Sequence, residues 1–212
     1  VGLWSSLNTV LSNLCVVVAT FFVARTSMEA LAGFGLGIRI EYLQIPIVFG
    51  FGTALVAMVG MNLGAGQIQR ARRIAWTGAA VAAITTETVG LAAALFPQAW
   101  LSLFTDDPEA IATGASFLRT VAPAYVFLGL ALALFFPSPC AGRMGWPLFA
   151  SGVRLTVLAL GCALVAWWLP GNLAALCAVM VVALIAMAVF NALPWLKNAG
   201  GGAHRVVTPR QE

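Results

Sequence analysis

Long apolar runs alternate with short polar connections along the chain. Six such runs cover residues 3–25, 42–63, 74–97, 115–136, 147–169 and 173–196. Each holds about 22 residues, which at the rise of an α-helix span roughly the 30 Å thickness of a bilayer's hydrocarbon core. Strands of a membrane barrel would be about half as long and would alternate polar with apolar residues, and these runs do not. Because a backbone in lipid must satisfy its own hydrogen bonds, the pattern predicts an all-α polytopic membrane protein with six transmembrane helices.

Composition supports the same class. Of the 212 residues, 61% are hydrophobic and 8% are charged, whereas soluble domains carry roughly 25% charged residues. The expected partner is therefore the lipid bilayer, and with a net charge of only +4 no nucleic acid is expected. Val1 is not a start methionine and no basic region precedes the first apolar run, so we expect a fragment or a processed piece without a signal peptide.

The placement of basic residues predicts the orientation. The connection after the second run holds Arg70, Arg72 and Arg73. In contrast, the connection at 105–109 is acidic and the connection at 170–172 is uncharged. The connection at 25–41 balances two arginines against two glutamates. Positive charge is enriched on the cytoplasmic side of membrane proteins. We therefore expect both termini in the cytoplasm of an inner-membrane protein, and a disordered cytoplasmic tail at 198–212.

The stretch VGMNLGAGQIQRARR, residues 59–73, could end a helix or hold a phosphate. A phosphate loop would need Gly-x-x-x-x-Gly-Lys and then Ser or Thr after a strand, and no such lysine is present. Gly64 and Gly66 supply the left-handed conformation that helix ends commonly use. The stretch is therefore predicted to be the end of a membrane helix, with its arginines in the lipid head-group zone.

Three motifs carry a family resemblance. VGMNLGAG followed by RARR resembles the VGQNLGAG…RA signature of multidrug and toxic compound extrusion (MATE) transporters. LAGFGLGIRIEYL, at 31–43, is similar to the AAYGIGSRLE pattern that precedes it in that family, and AGRMGWPLFASGVRL, at 141–155, resembles the region entering the family's eleventh helix. Met61 departs from the pattern, which often has Gln there.

The resemblance implies the second six-helix lobe of a twelve-helix transporter. Its partners would then be the N-terminal lobe of the same transporter and small organic cations or amphipathic drugs. It also implies export by alternating access in exchange for H⁺ or Na⁺, with no cofactor and no enzymatic activity. The acidic residues implicated in such lobes lie on the seventh and tenth helices, yet the first and fourth runs here contain no Asp or Glu in their apolar cores.

Glu87 is the acidic residue near the middle of the third run. Charge at mid-membrane costs at least about 2.5–3.5 kcal/mol on insertion scales, so its presence needs a reason. Small residues at helical spacing, from Ala80 to Ala94, predict close packing of its face on another helix. Glu87 is thus a candidate cation-coupling residue, or else a protonated packing residue bonded to a threonine or a backbone carbonyl.

Other polar residues of the runs are candidates for lining a cavity. Arg154 could extend to the interface, or pair with a carbonyl or with an acid of the other lobe, whereas direct pairing with Glu87 is not expected. The remaining candidates, for which interhelical hydrogen bonding is the alternative, are Asn8, Ser12, Asn13, Tyr125 and Asn191.

Two alternative functions stay open. One is a flippase of lipid-linked saccharides from the same superfamily, whose cavity would need several cationic side chains, whereas only Arg119 and Arg154 lie inside the runs. The other is a six-helix fragment inactive on its own. No metal site is predicted, because no two of the four cysteines are spaced as ligands and His204, in the tail, is the one histidine.

Overall fold

The computed structural model describes residues 2–142 and 145–196, with side chains from residue 6 onward. All regular structure in these ranges is helical, and six spans are long and apolar enough to cross a membrane. The predicted fold class is therefore confirmed. The helices are α1 (Gly2–Ala24), α2 (Met28–Gly64), α3 (Ile68–Leu95), α4 (Pro97–Leu101), α5 (Pro108–Val121), α6 (Tyr125–Phe135), α7 (Gly145–Trp168) and α8 (Leu173–Leu196).

The second helix is much longer than the apolar run that predicted it. The range 25–41 was interpreted as a connection because its charges and glycines lower the local hydropathy, but α2 begins at Met28 and only three residues separate it from α1. Ser27 caps the helix, its Oγ accepting a hydrogen bond from the backbone N of Ala30 at 3.0 Å. Glu41 and Arg39 are consequently residues of a helix and not of a loop.

Glycines in the first half of α2 allow a close approach to α5. A Cβ added at Gly33 would collide with the backbone of Gly114, and one added at Gly37 would collide with the ring of Phe117. These positions are therefore glycine because another helix occupies the space, which explains why a glycine-rich stretch is helical here.

A proline breaks the span formed by α5 and α6. Proline cannot donate a backbone hydrogen bond, and the chain passes through a 3₁₀ turn at Ala122–Ala124 that contains Pro123. A second proline, Pro46, lies inside α2, and that helix continues through it.

The spans pack against one another as a helical bundle. α7 packs against α1 and α8, α2 packs against α5 and α3, and α3 packs against α6. At one end of the bundle, the Arg72 guanidinium donates to the backbone O of Leu196 at 3.2 Å, which ties the start of α3 to the end of α8. This end also holds the turn after α2, where Gly66 has a φ of 72° as the sequence predicted. Gly64, which was predicted to share that conformation, is instead the last residue of α2 and has no positive φ. The predicted tail at 198–212 lies outside the described residues.

Candidate ion-pair site inside the helical bundle

An ion pair joins α2 and α7 inside the bundle. The Arg154 Nη2 lies 3.2 Å from the Glu41 Oε1, and each side chain is only 15% exposed. The sequence interpretation that Arg154 reaches the interface, a carbonyl or another lobe is therefore wrong. It failed because Glu41 had been placed in a connection, and the extension of α2 brings this carboxylate into the bundle.

The ion pair borders a small cavity among five spans. The cavity has about 30 Å³ of room for water, and a site needs roughly 10–15 Å³ by this measure to hold one molecule. Its lining is apolar apart from the ion pair and the thiol of Cys15. The apolar lining residues are Val16, Ala19, Phe34, Ile38, Phe117, Val121, Leu158, Met180, Ala183 and Leu184.

Methionine completes the surroundings of the guanidinium. The Arg154 Nη1 lies 3.9 Å from the Sδ of Met187, on α8. A thioether is a weak acceptor. The Glu41 carboxylate is therefore the strong partner of Arg154 in the described part of the chain.

Two buried polar side chains near the ion pair have no hydrogen-bond partner among the described residues. They are Tyr125, through its hydroxyl, and Gln44, through both atoms of its amide. Both residues are fully buried, and the charges of Glu41 and Arg154 reach the Tyr125 hydroxyl. Buried polar atoms in proteins nearly always have partners, so these two groups are polar atoms of the site that are available to bind water or a ligand.

Gln44 was missed by the sequence analysis. It lies three residues after Glu41, on the same face of α2, in the run that was predicted to begin at residue 42. The usable signal was its position within an apolar run, since a buried amide also costs free energy unless it has a hydrogen-bond partner.

Asn191, a predicted cavity residue, is buried on α8. Its Nδ2 donates to the backbone O of Met187 at 3.1 Å, and its Oδ1 has no partner among the described residues. Asn191 therefore lies one helical turn from the methionine that contacts Arg154.

Glu87, the predicted coupling residue, lies apart from the ion pair and caps the broken span. Its Oε2 accepts a hydrogen bond from the backbone N of Val126 at 2.8 Å, in the first turn of α6. Next to it, the Thr86 hydroxyl donates to the backbone O of Tyr125 at 2.9 Å. α3 thus supplies side-chain partners to backbone groups at the break around Pro123.

The polar residues of α1 divide between a helix contact and an exposed surface. The Ser151 hydroxyl donates to the Asn8 Oδ1 at 2.6 Å, which links α7 to α1. Ser12 and Asn13 are exposed, and the Asn13 amide donates to the backbone O of Thr9 on its own helix at 2.9 Å. The structure thus brings Arg154 and Tyr125 near Glu41, and places Asn8, Ser12 and Asn13 elsewhere.

Comparison with known proteins identifies the family of this chain. A sequence profile of the family described as MatE matches residues 5–165. The chain belongs to the MatE family. The resemblance found in the sequence motifs is therefore confirmed, and the chain is a multi-pass membrane protein of a transporter family.

Two curated relatives align with parts of the chain. An FAD transporter of Shewanella oneidensis is 27% identical over 128 residues, which cover 60% of this chain and 28% of that protein. A probable multidrug resistance protein NorM of Thermotoga maritima is 32% identical over 83 residues, which cover 39% of this chain and 18% of that protein. The chain thus aligns with less than a third of either relative.

Solved transporters share the fold. The MATE transporter ClbM in complex with Rb⁺ superposes with a TM-score of 0.83 at 21% identity, covering 99% of this chain and 46% of that one. A MOP superfamily transporter from Pyrococcus furiosus superposes with a TM-score of 0.77 at 14% identity, covering 90% and 42%. The chain therefore spans about half the length of these transporters.

Proposed function

We propose that this chain is the C-terminal lobe of a secondary transporter that exports small organic cations or amphipathic compounds in exchange for H⁺ or Na⁺. The observation that carries the proposal is the ion pair of Glu41 and Arg154 beside a cavity, within membrane-spanning helices. Intramembrane ionisable residues are rare and are typical of ion and substrate pathways.

A contribution to the stability of the fold does not by itself explain the ion pair. Removing two charges from water costs several kcal/mol per ion in proteins, and well-packed apolar residues of similar volume often do as well or better. A transporter, in contrast, needs a charged group whose partner can change during its cycle. Belonging to a transporter family supports this interpretation.

The other half of the proposed transporter is an N-terminal six-helix lobe. The exposed polar residues Ser12 and Asn13 of α1 support it, because lipid does not favour such a surface. Alternating access would then occur between the two lobes. We place the arginine-rich turn at Arg70–Arg73 and both termini on the cytoplasmic side of the inner membrane, as the positive-inside rule predicts.

The relative described as an FAD transporter supports a second candidate, export of an anionic dinucleotide. Against it, and against a flippase for lipid-linked saccharides, Glu41 neutralises Arg154, and Arg119 is exposed on α5. An anion-binding cavity would benefit from cationic side chains without an acidic partner.

Transport assays on the complete transporter test the proposal. The protein is reconstituted in liposomes, and movement of a fluorescent organic cation and of FAD is measured with an imposed pH gradient, an imposed Na⁺ gradient, or neither. We expect gradient-dependent movement of the organic cation. Movement of FAD alone would favour the second candidate, and movement of neither compound would contradict the proposal.

The matched control is the chain without its partner lobe. Because the proposed route lies between two lobes, liposomes that contain this chain alone should move neither compound. Transport by the chain alone at the rate of the complete protein would contradict the two-lobe arrangement.

A further inference from the structure

We propose that an arginine-lined cavity on α3 binds the head group of one anionic phospholipid. The cavity is open to the surface and has about 660 Å³ of room, within the range of roughly 300–1,000 Å³ that is common for small-molecule sites. The inference goes beyond transport, because it depends neither on the exported compound nor on the coupling ion. The residues that line the cavity are Gln69, Arg70, Arg72, Arg73, Ile74 and Trp76.

The cavity contains positive side chains and no acidic side chain from the described part of the chain. A phosphate diester would supply the missing negative charge, and guanidinium groups bind phosphate oxygens through paired N–H donors. The acidic residues that the structure describes all lie elsewhere, and they are Glu29, Glu41, Glu87, Asp106, Asp107 and Glu109.

Without an anion, this grouping of arginines is unfavourable. Arg70 and Arg73 are three positions apart on one helix, a spacing at which like charges repel and destabilise the helix. They also lie in the first two turns of α3, where the helix dipole favours acidic side chains over basic ones. Arginines spread over several connections would satisfy the positive-inside rule equally well. A bound anion explains why they converge on one cavity.

Contacts with the protein hold two of the arginines and still leave donors for a ligand. The Arg72 guanidinium donates to the backbone O of Leu196 at 3.2 Å, and the Arg70 Nη1 donates to the Gln67 Oε1 at 3.3 Å. A guanidinium has five N–H donors, so these bonds occupy a minority of them. Both side chains are thus oriented at the cavity without being used up by the protein.

An exposed apolar face of α3 continues from the arginines into the membrane. Thr77, Val81 and Ile84 follow Arg73 at steps of three and four residues, so they share its face of the helix. Val81 is 44% exposed and Ile84 is 67% exposed, and Ile84 lies about 16 Å along the helix from Arg73. This alignment matches a ligand with an anionic head and apolar chains, and so favours a lipid over a free phosphate.

The test measures lipid binding to the complete transporter in detergent micelles by native mass spectrometry. Phosphatidylglycerol is titrated into the wild type and into the double variant Arg70→Gln with Arg73→Gln, which retains Arg72 and its contact with α8. The affinity for the most tightly bound phosphatidylglycerol should fall by roughly 30-fold, the combined contribution of two basic residues at an anionic surface.

The matched control is Arg25→Gln with Arg119→Gln, which removes the same amount of charge from exposed positions outside the cavity. A micelle surrounds all the spans with lipid, so a diffuse attraction would weaken equally in both double variants. We expect the control to retain the wild-type affinity for phosphatidylglycerol. An equal loss in the two double variants would overturn the inference.

Two measurements on the wild type test the inference even where a variant does not fold. Phosphatidylcholine carries an ammonium group that neutralises its phosphate, so it should bind more weakly than phosphatidylglycerol, and equal binding would contradict a site for an anion. Inorganic phosphate at the same concentration should not displace phosphatidylglycerol. Displacement would identify the free anion as the ligand and overturn the assignment to a lipid. None of these readouts measures transport, so their failure would leave the proposed function standing.

Discussion

Glu41 and Glu87 are both acidic residues of membrane-spanning helices, but they have partners of different kinds. Glu41 pairs with a guanidinium that belongs to another helix and carries its own charge. Glu87 accepts a hydrogen bond from a backbone N at a helix break, a group that cannot move without unwinding that helix. The comparison teaches that a carboxylate within a span can be held by a charged side chain or by a backbone group, and that helix packing decides which partner it has.

The largest expected effect comes from removing one member of the ion pair. Arg154→Met leaves the Glu41 carboxylate without compensation, which should lower the free energy of unfolding by about 3–5 kcal/mol. The measurement is unfolding by SDS titration in mixed micelles. Adding Glu41→Gln to Arg154→Met should recover most of the loss.

The matched control for the ion pair is Arg119→Met, which removes an exposed arginine from α5. It should cost under about 1 kcal/mol, the magnitude of exposed charge interactions. An equal loss in Arg154→Met and Arg119→Met would contradict the burial of the pair.

A second prediction concerns the contact that holds Glu87 against α6. A Cβ at Gly129 would collide with the Thr86 hydroxyl and come within 2.8 Å of the backbone O of Ala82. Gly129→Ala should therefore cost about 2–3 kcal/mol through overpacking of α3 against α6. Gly35→Ala is the control, because nothing lies within 4 Å of its Cβ position, and it should be neutral or stabilising. A neutral Gly129→Ala would mean that the two helices are less closely packed than described.

The third prediction separates capping from coupling at Glu87. Glu87→Leu removes the acceptor for the Val126 backbone N and should cost about 1–2 kcal/mol. Glu87→Gln keeps an acceptor oxygen and should cost less, so SDS titration of both variants isolates the cap. The sequence analysis proposed Glu87 as a coupling residue or else a packing residue, and loss of pH-gradient-driven efflux in Glu87→Gln with stability intact would favour the coupling role over capping alone.

The smallest effect is expected for an exposed side-chain contact to a helix backbone, the one between Arg72 and Leu196. Arg72 donates to the backbone O of Leu196 at the end of the bundle, in an exposed setting. Arg72→Ala should lower the free energy of unfolding by about 0.5 kcal/mol, as is usual for exposed charged contacts. Arg73→Ala, at the exposed neighbouring position, provides the control. A loss of several kcal/mol for Arg72→Ala would mean that burial does not explain why the contacts inside the bundle contribute more to stability than the exposed ones.

Much of the fold could be predicted because lipid imposes strong rules on composition. Apolar runs long enough to span the bilayer identified all six spans. The same rule failed in α2, where glycines and charged residues lowered the hydropathy of a helix that is stabilised by packing on α5. Hydropathy reports the surroundings of a segment only when those surroundings are lipid.

The candidate site was less predictable, since it depends on contacts between distant parts of the chain. Arg154 was recognised as unusual, but its partner is 113 positions away in sequence and was assigned to a loop. Tyr125 was recognised as a polar group, and Gln44 was not. Residue type and depth therefore identify groups that need partners, while the partners follow from helix packing.

The proline inside α2 has a consequence for the mechanical behaviour of that helix. Pro46 has no backbone N–H to donate to the carbonyl of Tyr42, the residue next to Glu41. One backbone hydrogen bond of α2 is therefore missing beside the ion pair. A helix bends most easily where one of its backbone hydrogen bonds is missing. Loss of the Glu41–Arg154 ion pair would therefore act beside the most flexible part of α2. A change of charge at Glu41 would then alter the angle between the two halves of this helix.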